Sequence, residues 1–170
     1  MNQKIFVGLF SVIILAGIIG VLYPITVTEY RDSSVNTDQI LGSKWMLQTF
    51  TINRQDIILS DKTNITIQFD DEQIVKGSGG CNSYFGEYQI VGEYQITATT
   101  IEGIEEHGVG GKLSFKTIAQ TEMACIEDNI MDQETKFFET LNQVVSFEVM
   151  PKILKIISED EQTVLSFESK

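Results

Sequence analysis

Apolar and polar residues alternate along most of this chain, but not at its start. From Ile5 to Thr28 there is no charged residue, and IFVGLFSVIILAGIIGVL (Ile5–Leu22) is almost wholly apolar. A helix of that length spans about 27 Å, the thickness of a bilayer's hydrocarbon core. The pattern therefore predicts an N-terminal transmembrane helix. A cleaved signal peptide stays open as the alternative, although such peptides have a shorter apolar stretch and a small-residue cleavage site. Here Val21, Leu22, Tyr23 and Pro24 close the run. Lys4 before it and Glu29, Arg31 and Asp32 after it favour a cytoplasmic N-terminus. The segmentation is thus an anchor (or signal) at 1–28 that meets the membrane through residues 5–25, a polar tether at 29–40 and a domain at 41–170. Both readings carry the domain out of the cytoplasm, on a single-pass cell-membrane anchor or, if cleaved, as a secreted protein.

The domain reads as short strands. WMLQTFTI (Trp45–Ile52) and DIILS (Asp56–Ser60) flank a turn at Asn53–Gln55. NITIQFD places Ile65, Ile67 and Phe69 on one face and Asn64, Thr66 and Gln68 on the other. After a turn at Asp70–Glu72, QIVKGSGGCNSYFGEYQI continues as a strand broken or bulged at Gly77, Gly79 and Gly80. YQITATTI, KLSFKTIAQTEMA, VSFEVM, ILKIIS and TVLSFES follow. GEYQI occurs twice, six residues apart, in GEYQIVGEYQI (Gly86–Ile96). An even spacing keeps both copies on the same strand face, and a turn at Val91-Gly92 would make them two strands of a hairpin. One segment has another period. In DNIMDQETKFFETLNQVV, apolar residues at Ile130, Phe137, Phe138, Leu141, Val144 and Val145 follow a helical face that only Glu134 interrupts. Asp128 or Asn129 is placed to cap it, with Asp132 and Glu134 near the positive end of its dipole. The expected fold is α+β: about eight strands in a mainly antiparallel, curled or barrel-like sheet, packed with one α-helix.

Charge narrows the partners. The net charge is −12, and the part beyond the anchor holds all 24 Asp and Glu against all but one of the 12 Lys and Arg. Nucleic acid and anionic lipid would both be repelled. The two cysteines, Cys81 and Cys125, both lie in the exported part, where an even count suggests one disulfide. Joined, they would close a loop worth about 4 kcal/mol in the chain-entropy model. Unpaired buried thiols are the other reading. Redox chemistry would need a nearby base or a C-x-x-C pair, and a zinc site needs about four ligands.

GCNSYFGEYQI, then TIAQTEMAC, then the acidic-started helix with QETKFFETL, then LKI and TVLSF, with Trp45 opening the first strand, resemble the META-domain family of HslJ-like envelope proteins. The likeness runs over residues 41–168. It implies a small β-rich domain with one helix, an envelope or surface location behind an anchor, and a disulfide between Cys81 and Cys125. It implies no particular reaction. Gly92–Gly111 is longer than the family's connection, which leaves Tyr94–Ile101 and Lys112–Phe115 as rival candidates for its second strand.

Candidate chemistry is thin. IEGIEEHGVGG gathers Glu102, Glu105, Glu106 and the single histidine, His107, in what reads as a mobile loop. Glu105, Glu106 and His107 are weak candidate metal ligands, without the spacing of a calcium loop. No G-x-S-x-G, H-E-x-x-H or phosphate-binding glycine loop is present. Asn64-Ile65-Thr66 matches a glycosylation sequon. Trp45, Tyr84, Phe85, Tyr88 and Tyr94 fit either a ligand groove or core and cross-strand pairs. Asn82 is read as satisfying backbone groups of its own turn. No catalytic residue and no cofactor is assigned. The expected function is a non-catalytic, membrane-tethered, monomeric extracytoplasmic module for binding or envelope stress, with partner unknown. The alternative is a small-ligand or divalent-metal-binding protein using Gly92–Gly111.

Overall fold

The computed structural model describes residues 39–99, 105–126 and 129–169. The segment at 5–25 read as a membrane helix, most of the tether and Asp128 lie outside those residues. Among the described residues no helix is long and apolar enough to cross a membrane.

The elements run β1 (Trp45–Ile52), β2 (Gln55–Asp56), β3 (Thr66–Phe69), β4 (Ile74–Ser78), β5 (Ser83–Thr99), β6 (Glu105–Gln120), α1 (Ile130–Leu141), β7 (Val144–Met150), β8 (Ile153–Ser158) and β9 (Val164–Ser169). All strand pairings are antiparallel, in the order β1-β3-β4-β5-β6-β7-β8-β9. β9 returns to pair with β1, from Trp45↔Ser169 to Thr51↔Val164. Eight strands therefore close into a barrel, with β2 only a two-residue continuation of the β1 hairpin. DIILS forms a strand no further than Asp56; Ile57 to Ser60 run without one. Closure removes most open sheet edges.

Alternation explains which side chains fill the barrel. Ile65, Ile67 and Phe69 point inward with Trp45, Phe50, Val75, Phe147, Leu154, Ile156, Leu165 and Phe167, all nearly or fully buried. An eight-stranded barrel has an interior just wide enough for its own side chains, and here large ones occupy it. Phe69 meets Tyr88 edge-on at 5.0 Å and stacks on Phe115 at 6.2 Å. Tyr84 donates its phenol to Thr66 O at 3.1 Å. Burial pushes that phenol well above its usual pKa and so keeps it a donor.

The repeat departs from the expected hairpin. Both GEYQI copies lie in one strand, β5, and the turn expected at Val91-Gly92 is a bulge. Between Val91↔Lys112 and Tyr94↔Gly110, β5 spends one residue more than β6. Gly92 supplies the positive φ of +65° that this needs. The extra residue reverses the faces. Tyr88 is buried in the barrel, whereas Tyr94 is 47% exposed on the outside, its ring lying where a Cβ on Gly110 would stand. The rival second strands thus become the two arms of one long hairpin, with Tyr94–Thr99 against Glu105–Gly110.

Candidate functional site

Leu41 bridges to Phe69 at one end of the β3–β4 ladder, and α1 packs against Gly79 at the opposite pole. That pole carries the Gly79–Asn82 turn, the Thr121–Ile126 segment and the loop before β3. Phe137 and Leu141 drive the helix onto the core, where Tyr84 packs against Phe137 at 5.7 Å and Phe138 at 5.4 Å. Gln133 accepts from Ser60 N at 2.8 Å, tying the helix to the loop after β2. Asn129 begins the helix as expected, but its own φ is +76° and its side chain makes no cap bond. Asp132 does sit in the first turn.

Glu134 is the organising group. Sequence periodicity makes it a polar interruption of the apolar face, yet it is only 3% exposed. It faces inward, as its helical position dictates, and both of its carboxylate oxygens are engaged. Oε1 accepts from Cys81 N at 3.1 Å and Asn82 N at 2.6 Å, and Oε2 accepts from Asn82 Nδ2 at 2.7 Å. All three donors are neutral N–H groups. Asn82 passes the connection on. Its Oδ1 accepts from Thr121 Oγ1 and from Met123 N, each at 2.7 Å, and Nδ2 also donates to Met123 O at 3.2 Å. So Asn82 serves the segment after β6 rather than its own turn. Cys81 and Cys125 are bonded, with Cα atoms 6.0 Å apart, and close the same junction covalently.

Gly79 makes this approach possible. A Cβ there would stand 2.6 Å from Glu134 Oε1 and 2.8 Å from Phe138 Cζ. Glu134 is held by three hydrogen bonds and cannot easily yield. Gly79→Ala is therefore expected to destabilise the domain by about 2 kcal/mol through overpacking. Urea unfolding of the variant checks this; a loss below about 0.5 kcal/mol, the range of an ordinary surface change, would refute the tight contact.

Over this network lies an open trough of about 450 Å³ between α1 and the Gln120–Ala124 segment. Its large apolar side chains are Met123, Met131 and Phe138, with Met123 58% and Met131 38% exposed. Glu122, Glu134 and Glu139 line it, and among the described residues no Lys, Arg or His does.

A META-domain family model matches residues 38–170. The chain belongs to the META-domain family. The fold has solved counterparts. A solution NMR structure of a protein from Burkholderia xenovorans has 18% identity, covers 85% of this chain and 99% of its own, and has a TM-score of 0.58. A second NMR structure has 21% identity, covers 79% and 94%, and has a TM-score of 0.52. Both show the barrel fold alone. No curated protein matches the chain.

The remaining sequence candidates of this META domain do not gather at the trough. Glu106 and His107 are exposed on β6, paired with Ala98 and Thr97, where a loop was expected. As neighbours in a strand they point to opposite faces, so they do not chelate one ion together. His107 Nδ1 instead lies 3.3 Å from Thr97 Oγ1. Glu102 lies outside the described residues, and Glu105 is described only as the first residue of β6. Among the described residues no group of three or more His, Cys, Asp or Glu is arranged to hold a metal ion. Asn64 is exposed just before β3. Trp45, Tyr84 and Tyr88 are core residues, and Phe85 and Tyr94 are exposed. Sequence reading missed Glu134 as a site residue. Its signal was present: one acid on an apolar helical face, four residues after Ile130 and three before Phe137.

Proposed function

We propose that this META domain is a non-catalytic binding module, displayed outside the cytoplasm on an N-terminal membrane tether and serving binding or envelope stress. One observation carries the reading. The widest chemical preparation on the domain, a buried carboxylate network and a disulfide, supports an open, partly apolar trough rather than a nucleophile and base. A rigid frame under an accessible apolar surface suits recognition, because preorganisation reduces the ordering cost of binding. The single histidine is remote, at the far end of the β5–β6 hairpin.

The test places a photo-crosslinking residue at Met123 or Met131 in cells, with Ile58 and Phe85 as exposed controls away from the trough. Defined adducts at the two methionines alone are expected. Equal adducts at all four positions, or none at the methionines, would refute the trough as the binding seat. Protease treatment of intact cells checks the display: the domain should be cleaved from outside, and protection would refute an extracytoplasmic location.

A further inference from the structure

The trough's shape and charge say which ligand chemistry fits it, given that it is the binding seat. Along the helix its wall runs from Met131 to Asn142, about 16 Å at 1.5 Å per residue. It is long and open rather than a closed pocket. That length matches about five residues of extended polypeptide at 3.3 Å each. Apolar contact is concentrated on Met123, Met131 and Phe138. Methionine thioethers adapt to differently shaped side chains, which favours a peptide surface over one rigid molecule.

Charge decides the rest. Glu122 and Glu139 are exposed in the lining, and Glu134 forms part of the same wall. The three hydrogen bonds that Glu134 accepts from described residues all come from neutral groups. Oε2 accepts only one of them, and a carboxylate has about four acceptor sites in all. With no basic residue among the described lining residues, the trough is complementary to positive charge and opposed to anionic lipid headgroups.

We propose that the trough binds a short cationic, amphipathic segment of a partner polypeptide. An apolar side chain of the segment rests on Met123, Met131 and Phe138, and flanking Lys or Arg side chains pair with Glu122 and Glu139. Burial of the apolar side chain supplies affinity, and the acidic rim supplies selectivity and a fast, salt-sensitive approach.

The test measures fluorescence anisotropy with the full chain in neutral detergent. The probe is a labelled peptide, Lys-Leu-Phe-Lys-Leu-Lys, compared with Glu-Leu-Phe-Glu-Leu-Glu. Saturable binding of the basic peptide is expected, weakening as salt rises. Charge reversal in Glu122→Lys/Glu139→Lys, two exposed positions, should weaken it by about tenfold or more. The neutral pair Glu122→Gln/Glu139→Gln should bind less tightly than the parent and with a flatter salt dependence, which guards against misfolding of the reversed pair. Equal affinity for the acidic peptide, or an unchanged affinity in both variants, overturns the proposal. So does no binding of the basic peptide. If adducts still form at Met123 while the basic peptide fails, the binding seat stands and this ligand class falls.

Discussion

Glu134→Gln is expected to destabilise the domain by about 3 kcal/mol although it preserves the size of the side chain. The reason is donor bookkeeping at one buried point. Glu134 is acceptor-only, and three N–H groups point at it. An amide keeps one acceptor oxygen, which can serve the backbone N–H groups of Cys81 and Asn82. Its NH₂ then faces the side-chain NH₂ of Asn82, donor against donor. Asn82 cannot flip to relieve this, because its Oδ1 already holds Thr121 Oγ1 and Met123 N. Turning the glutamine instead sets its NH₂ against two backbone donors. One buried donor is left unmade in every arrangement, at about 1–3 kcal/mol, and the charge-assisted bonds are lost as well. Glu134→Leu, which orphans all three donors, should cost more than Gln. The measurement is the urea midpoint with the disulfide intact. A Gln variant within about 0.5 kcal/mol of the parent, or a Leu variant more stable than Gln, would sink this account.

That group also marks where the sequence could and could not be read. Strands β8 and β9 were legible because each alternates inside and outside against one core, and β1, β3 and β7 keep enough of that period to be read despite bulges at Leu47/Thr49 and Val144/Ser146 and the burial of Thr66 beside Ile67. The helix was legible from Ile130, Phe137 and Leu141. Glu134 was not, since a period assigns a face and says nothing about what waits there. Its partners, Cys81 and Asn82, lie 53 and 52 residues away in the chain. The GEYQI copies failed for a different reason. Even spacing fixes a common face only while the ladder stays regular. One bulge at Gly92 puts Tyr88 inside and Tyr94 outside, and a bulge depends on the partner strand as much as on its own residues. The loop expected around His107 became a strand because its glycines face close neighbours. A Cβ on Gly108 would stand 2.2 Å from Val149 O, so the glycine is what lets the strands approach. The trough was least legible of all, being made by two segments from opposite ends of the β6–α1 connection.

Replacing both cysteines by alanine is expected to cost about 4 kcal/mol. The bond joins residues 44 apart, and the chain-entropy model gives about 4 kcal/mol for closing such a loop in the unfolded state. The loop encloses the whole β5–β6 hairpin. Those two strands must find each other over a long register with a bulge in it, so a tie at their base restricts the unfolded chain where freedom is greatest. A local effect should accompany the global one. Thr121–Ile126 belongs to no strand, Met123 is 58% and Ile126 99% exposed, and burial holds them little. Without Cys125 the hydrogen bonds that hold the segment among the described residues are that of Thr121 N to Ser83 O and those of Asn82 to Thr121 and Met123. Amide exchange at Glu122–Ile126 should therefore accelerate far more than exchange in β7–β9 under native conditions. Since Met123 forms one wall of the trough, affinity for the basic peptide should fall in the same variant while the barrel stays folded. Thiol counting by non-reducing mass spectrometry on the parent comes first, because two free thiols would remove the premise. A double variant within about 1 kcal/mol of the parent, or one whose exchange at Glu122–Ile126 is unchanged, would show that hydrogen bonds alone hold this pole.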